Sequence, residues 1–191
     1  MIEGLYVPGL GDHQTRAEDT ALRLWWRRGI YLRYAPVRWN EGNTFEEKLI
    51  KLTTHIDEIY EASGEVTLVG SSAGASAVLN AAAQQPEKIH RIVTICGKIH
   101  HPDTLPARDF EENPAFKQSL DMLPDSLDIL SKTHAARTLC MTPYWDGRVP
   151  VTDATIDWAA QHRIKAAGHV LSIATAMTIG NRPACEFIST L

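Results

Sequence analysis

The fold is decided by one stretch of the chain, Val66-Thr67-Leu68-Val69-Gly70-Ser71-Ser72-Ala73-Gly74. The apolar run at 66–69 predicts a buried β-strand, and the alanine-rich residues 73–84 predict a helix that begins after a very short turn. Two glycines lie symmetrically about Ser72, which gives the pattern G-x-S-x-G between a strand and a helix. In that setting the serine backbone is strained and its hydroxyl is exposed above the sheet. We therefore interpret Ser72 as a candidate nucleophile.

Short apolar runs alternate with helical patterns on both sides of this stretch. Strands that alternate with helices are joined by right-handed crossovers, which favours a mainly parallel sheet covered on both faces. We predict an α/β protein, a three-layer α/β/α sandwich with a sheet of about six strands. The predicted strands cover residues 2–7, 30–34, 66–69, 89–96, 138–141 and 163–167.

The length of 191 residues fits one domain, and the chain shows no internal repeat or linker. We predict a single domain over 1–191, in which 97–137, with four prolines, is an irregular insertion or partial flap. Short helices are expected at 153–160 and 170–179.

Composition narrows the classes of function. The chain is 44% hydrophobic and 22% charged, with a net charge of −4, and this charge argues against nucleic acid and anionic membranes as partners. Three widely separated cysteines form no C-x-x-C pair, so neither metal binding nor a disulfide framework is indicated. No signal-peptide pattern opens the chain, and no apolar stretch approaches the roughly 20 residues that span a bilayer. We expect a cytoplasmic protein.

Two further residues follow predicted strands in the order that a serine nucleophile requires. Asp146 lies in Tyr144-Trp145-Asp146-Gly147-Arg148 after the fifth strand, and His169 lies in Ala167-Gly168-His169 after the sixth. Carboxyl ends of parallel strands meet at one edge of the sheet, so these side chains can converge on Ser72. A serine hydroxyl needs a base, histidine titrates near neutral pH, and a buried carboxylate fixes the imidazole tautomer.

Other aspartates are weaker candidates for the acid. Asp153 and Asp157 belong to the helix predicted after the fifth strand, where capping and solvation are their ordinary roles. Asp128 precedes that strand and should face the opposite edge. We therefore predict Asp146 as the acid.

A glycine-rich loop, Pro8-Gly9-Leu10-Gly11-Asp12-His13, follows the first strand. Loops in this position donate a backbone N–H to the oxyanion of an acyl-transfer reaction, with a second N–H from the residue after the nucleophile. These donors would be the amides of Leu10 and Ala73. We interpret His13 as a polar loop residue and Trp145, beside the predicted acid, as a wall of the substrate pocket.

These motifs together resemble the α/β-hydrolases, over nearly the whole chain. The resemblance implies Ser72 as nucleophile, Asp146 as acid, His169 as base, and Leu10 and Ala73 as oxyanion donors. It implies a serine hydrolase that cleaves a small carboxylic ester or related acyl bond and needs no metal or organic cofactor. The chain departs from the family in having Pro8 where a histidine often stands, and it has neither the first antiparallel hairpin nor a large cap domain.

Two other functions remain open at this stage. The same triad could pass an acyl group to an acceptor other than water, which would make the protein an acyltransferase. A catalytically silent scaffold that binds a ligand or a protein is the second alternative, although it would have no physical need for all three residues. The acyl group is expected to be short, in the range from acetyl to butyryl.

Overall fold

The computed structural model describes residues 1–12, 16–42 and 44–190. Six strands form one sheet in the order β2-β1-β3-β4-β5-β6, and every neighbouring pair is parallel. The predicted fold class is therefore confirmed, and the strand of the decisive stretch lies inside the sheet. The strands are β1 (Ile2–Val7), β2 (Ile30–Tyr34), β3 (Val66–Ser71), β4 (Ile89–Ile95), β5 (Thr138–Pro143) and β6 (Ala160–Ile164).

Helices connect the strands and cover the sheet. Residues 97–137 contain three of them, and α6 packs against α3. In the order of the chain the helices are α1 (Arg16–Trp26), α2 (Phe45–Ser63), α3 (Gly74–Gln84), α4 (Ala107–Glu112), α5 (Pro114–Asp121), α6 (Leu123–Thr133), α7 (His169–Met177) and α8 (Arg182–Ser189).

Consecutive residues of the inner strands belong to two separate hydrophobic clusters. Leu68 packs with residues of α2, α3 and α6, whereas its neighbour Val69 packs with residues of α1, α7 and α8. Side chains alternate between the faces of a strand, so a sheet buried on both faces needs apolar residues at every position. This is the physical reason why the inner strands are continuous apolar runs in the sequence.

Two predicted elements differ from the structure. The sixth strand, predicted at 163–167, covers 160–164, and the helix predicted at 153–160 is a short 3-10 helix at 151–154. β6 is an edge strand in which only Ile164 is fully buried, so hydrophobic periodicity carries little information about its bounds. Among the described residues, no helix is long and apolar enough to cross a membrane.

Candidate active site

Ser72 lies on the turn between β3 and α3 with a φ of 52°. A non-glycine residue in this left-handed region costs on the order of 1–3 kcal/mol and persists only where neighbouring contacts hold it. Here the Ser72 amide donates to the carbonyl of Ile95 (3.0 Å), and its carbonyl accepts from the amide of Lys98 (3.1 Å). The last residue of β4 and the segment that follows it therefore hold both backbone groups of the strained residue.

The flanking glycines are required by close backbone contacts. A Cβ atom on Gly74 would lie 2.1 Å from the carbonyl oxygen of Val7, and one on Gly70 would lie 2.5 Å from that of Gly74. Any side chain at these positions would force β1, β3 and α3 apart. The loop after β1 also approaches Ser72 closely, since a Cβ atom on Gly9 would lie 2.9 Å from Cβ of Ser72.

The side chains of Ser72, His169 and Asp146 form one hydrogen-bonded chain. Nε2 of His169 lies 2.8 Å from Oγ of Ser72, and Nδ1 lies 2.7 Å from Oδ2 of Asp146. A carboxylate can only accept, so Nδ1 carries the proton and the lone pair of Nε2 faces the serine hydroxyl. The imidazole and the carboxylate are 10% and 1% exposed, respectively, so water competes little with the bond between them.

The second oxygen of Asp146 is also held. Oδ1 accepts hydrogen bonds from the backbone amides of Arg148 (2.8 Å) and Val149 (3.0 Å). The amide of Gly168 donates to the carbonyl of Trp145 at 3.0 Å, which ties the loop that carries the histidine to the loop that carries the aspartate. Backbone amides thus hold the Asp146 carboxylate and link the two loops.

A cleft of about 400 Å³ opens beside Ser72 and His169. Leu10 and Gly9 line it from the loop after β1, and the Arg148 side chain lines it from the loop after β5. The guanidinium of Arg148 also pairs with Asp109 of α4 at 3.0 Å, which connects the 97–137 segment to the cleft.

Tyr6 and Ser71 form the polar floor of this cleft. The two hydroxyl groups lie 2.9 Å apart, so each satisfies the other. Burial raises the pKa of Tyr6 to about 12, and the hydrogen bond with Ser71 only partly opposes that effect. Tyr6 is therefore a neutral phenol at physiological pH, and it can donate or accept a hydrogen bond but adds no charge to the cleft.

The other residues predicted for the site are Ala73, Leu10 and Trp145. Ala73 is buried and lies directly between Ser72 and the first residue of α3, and Leu10 lines the cleft. Trp145 is 65% exposed, its ring lies against Gly147, and it is not among the described residues that line the cleft. His13 lies outside the described residues.

A buried ion pair that was not predicted from the sequence lies behind the site. Lys98 and Asp153 have side chains only 1% and 2% exposed, and Nζ lies 2.5 Å from Oδ2. The prediction that Asp153 is a helix-capping acid is wrong, because this residue lies in the short 3-10 helix at 151–154 with its carboxylate enclosed by the protein. Burial alone would raise the pKa of Asp153, but hydrogen bonds from Lys98 and Thr104 outweigh burial and lower it. A lysine three residues after the buried strand β4 was the available signal, since such a lysine needs an acid nearby.

Side chains that could bind a metal ion are not clustered in the part of the chain that the structure describes. No cluster of three or more histidine, cysteine or acidic side chains there could hold an ion.

Comparisons with known proteins support the fold alone. No known protein family and no curated protein matches the sequence. Solved structures are similar over nearly the whole chain, and those that follow are enzymes of ester and lipid chemistry. They include a carboxylesterase of Nitrososphaera gargenis (12% identity, 97% of this chain and 91% of that chain covered, TM-score 0.73), the esterase domain of a Rhodothermus marinus protein (16%, 98% and 88%, 0.68) and the monoacylglycerol lipase of Paleococcus ferrophilus (18%, 97% and 93%, 0.64).

With its parallel six-stranded sheet and its serine turn, the chain has the α/β-hydrolase fold. This fold hosts many activities, so the function has to be argued from the site itself.

Proposed function

We propose that the protein is a serine hydrolase that cleaves a small carboxylic ester, or a related acyl bond, through an acyl-serine intermediate. Ser72 is the nucleophile, His169 the general base and acid, and Asp146 the residue that orients the imidazole. The substrate is a small molecule, and no cofactor, nucleic acid or membrane takes part.

One observation carries this proposal, the unbroken chain of short hydrogen bonds from Ser72 through His169 to Asp146 (2.8 and 2.7 Å). A serine hydroxyl gains nucleophilicity only when a base within hydrogen-bond reach takes its proton. The buried carboxylate stabilises the imidazolium that forms when this happens. A purely structural role would not require all three groups to meet at the open edge of the sheet.

The reaction follows from this geometry. Oγ of Ser72 attacks the acyl carbon while its proton passes to Nε2 of His169, and the imidazolium then returns that proton to the leaving alcohol. Water then attacks the acyl-serine while its proton passes to Nε2 of His169. The tetrahedral intermediate collapses as the imidazolium returns that proton to Oγ of Ser72, and the carboxylic acid leaves.

The negative oxygen formed in each half of the reaction needs donors that are already oriented. The amide of Ala73, beside the N-terminus of α3, and the amide of Leu10, in the loop that approaches Ser72, are our candidates. Removal of one such donor in a serine hydrolase costs about 10²- to 10³-fold in kcat. The positive end of the α3 dipole favours the same charge.

Labelling with a fluorophosphonate probe tests the proposal directly. Wild-type protein should be labelled on Ser72, as located by peptide mass spectrometry, and should hydrolyse p-nitrophenyl acetate. Ser72→Ala should lose both the label and the turnover. Ser71→Ala, at the neighbouring position of the same turn, should still be labelled. A labelled Ser72→Ala protein, or a wild-type protein that neither labels nor turns over esters, would refute the assignment.

A further inference from the structure

A second, smaller groove lies between α1 and α7, beside the cleft. Its volume is about 220 Å³. Both walls are helical and their side chains are mostly small or aliphatic: Ala17 and Ala21 on α1, and Val170, Ile173, Ala174 and Met177 on α7.

The groove is continuous with the cleft that holds the nucleophile. Four residues line both spaces, namely Tyr6, Glu18, Val170 and Ile173. The polar groups of the cleft, with Ser72, His169 and Arg148, therefore lie at one end, and the apolar surface lies at the other. A ligand bound at Ser72 can extend into the groove without crossing the core.

The face of α7 that lines the groove begins at Val170, directly after His169. Residues 170, 173, 174 and 177 follow His169 at the spacing that places side chains on one helix face. This face is incompletely covered by the protein, and Val170, the first residue after the histidine, is 77% exposed. An exposed aliphatic stripe beside a nucleophile suggests a ligand that covers it when bound.

We propose that this α1/α7 groove binds the unbranched alkyl chain of the ester substrate, with a length of about six to eight carbons, which is longer than the acetyl to butyryl range expected from the sequence. The inference rests on the proposed hydrolase function and specifies the substrate class of the same site. The chain can belong to the acyl part of the ester or to its alcohol, because either part could extend from the carbonyl carbon into the groove.

The size of the groove supports this range. An apolar cavity of about 150 Å³ is large enough to bind benzene, a six-carbon molecule, so about 220 Å³ has room for a somewhat larger hydrocarbon. Each methylene that moves from water into an apolar site should improve binding up to about fourfold, and less in a groove that is partly open. Carbons beyond the end of the groove would remain in water and would not improve binding.

Two series of esters test the proposal and separate the two parts of the substrate. The first is p-nitrophenyl esters from acetyl to dodecanoyl, and the second is acetate esters of alcohols from ethanol to octanol. We expect kcat/KM to rise about two- to fourfold per methylene in one series and to level off or fall after six to eight carbons. A flat or falling profile in both series would overturn the proposal.

Variants that fill the groove provide the second measurement. Ala174→Phe and Ala17→Phe replace exposed alanines on opposite walls, so both proteins should fold. In each variant the ratio of kcat/KM for the eight-carbon ester to that for the two-carbon ester should fall at least tenfold. Ala62→Phe, at an exposed alanine of α2 outside the groove, is the matched control and should keep the wild-type ratio.

The outcomes distinguish this inference from the function on which it rests. If acetyl esters are hydrolysed by the wild type and not by Ser72→Ala, the hydrolase function is supported whatever the chain-length profile shows. An unchanged ratio in both groove variants would then refute the groove alone. Absence of any turnover that depends on Ser72 would refute both.

Discussion

Nζ of Lys98 lies 2.5 Å from Oδ2 of Asp153, and both side chains are enclosed in the protein interior. The other two protons of the ammonium are directed to the carbonyl of His101 (2.6 Å) and to Oγ1 of Thr104 (2.5 Å). The backbone of Lys98 holds Ser72, whereas Asp153 lies on the same loop as Asp146. The ion pair therefore joins the segment that holds Ser72 to the loop that carries Asp146.

We expect Lys98→Met to lower the free energy of unfolding by about 3–5 kcal/mol, because a buried carboxylate is left without its partner. Replacement of both charges, as in Lys98→Met/Asp153→Val, should recover at least half of that loss, since a buried pair exchanged for apolar groups is often close to neutral. Urea unfolding, monitored by circular dichroism, gives the free energy of unfolding of the single and the double variant. A single variant within about 1 kcal/mol of the wild type would contradict the prediction.

Acid should destabilise the protein partly through Asp153. Its pKa is lowered in the folded state, so the contribution of this group to stability is complete above the pKa of the unfolded chain, about 3.9, and is lost as the pH falls toward the lower folded value. We expect a decrease in the free energy of unfolding below about pH 5, and Asp153→Asn should show a smaller decrease than the wild type. Equal slopes for the two proteins between pH 5 and 3 would exclude Asp153 as a source.

Asp146→Asn should reduce kcat by about 10³- to 10⁴-fold, because the amide no longer holds the imidazole tautomer that the reaction needs; the comparable change in a serine protease costs about 10⁴. Thermal unfolding of the variant should show that the fold is kept. Asp157→Asn, an exposed aspartate after the same strand, is the matched control and should retain full activity. Comparable losses in the two variants would mean that the wrong carboxylate has been assigned.

Gly74→Ala should destabilise the fold by about 3 kcal/mol or more, because its Cβ would lie 2.1 Å from the carbonyl oxygen of Val7 and 2.5 Å from that of Pro8. Gly42→Ala is the control, since no atom lies within 4 Å of the Cβ position there. Thermal and urea unfolding compare the stability of the two variants with that of the wild type. Equal stability of the two variants would show that β1 and α3 can separate without cost.

The inner strands were predictable from the sequence because parallel strands covered on both faces must be apolar at every position. β1 and β2 were predicted with the bounds that they have, and β3 was predicted to within two residues at its end. The edge strand β6 was displaced in the prediction, since a mostly exposed strand lacks that pattern. α8 was not predicted at all.

The candidate site shows the same division between local and long-range information. Ser72, Asp146 and His169 were predicted because each has a local motif at the end of a strand, and parallel strands place such ends at one edge. Trp145 was expected to wall the pocket because it precedes Asp146, yet its indole is turned toward solvent. Neighbours in sequence share a loop, but the packing of that loop decides where each side chain points.

Local sequence patterns specify the order of strands and helices and the residues of the candidate site, because turn glycines, apolar runs and a strand-to-helix serine act over a few residues. Tertiary packing specifies which lysine meets which aspartate and which helix faces form a groove beside Ser72. Lys98 and Asp153 are 55 residues apart in the sequence. The residues of α1 and α7 that line the groove are separated by still more of the chain. Contacts of this kind depend on how the layers pack, and local sequence patterns do not specify that packing.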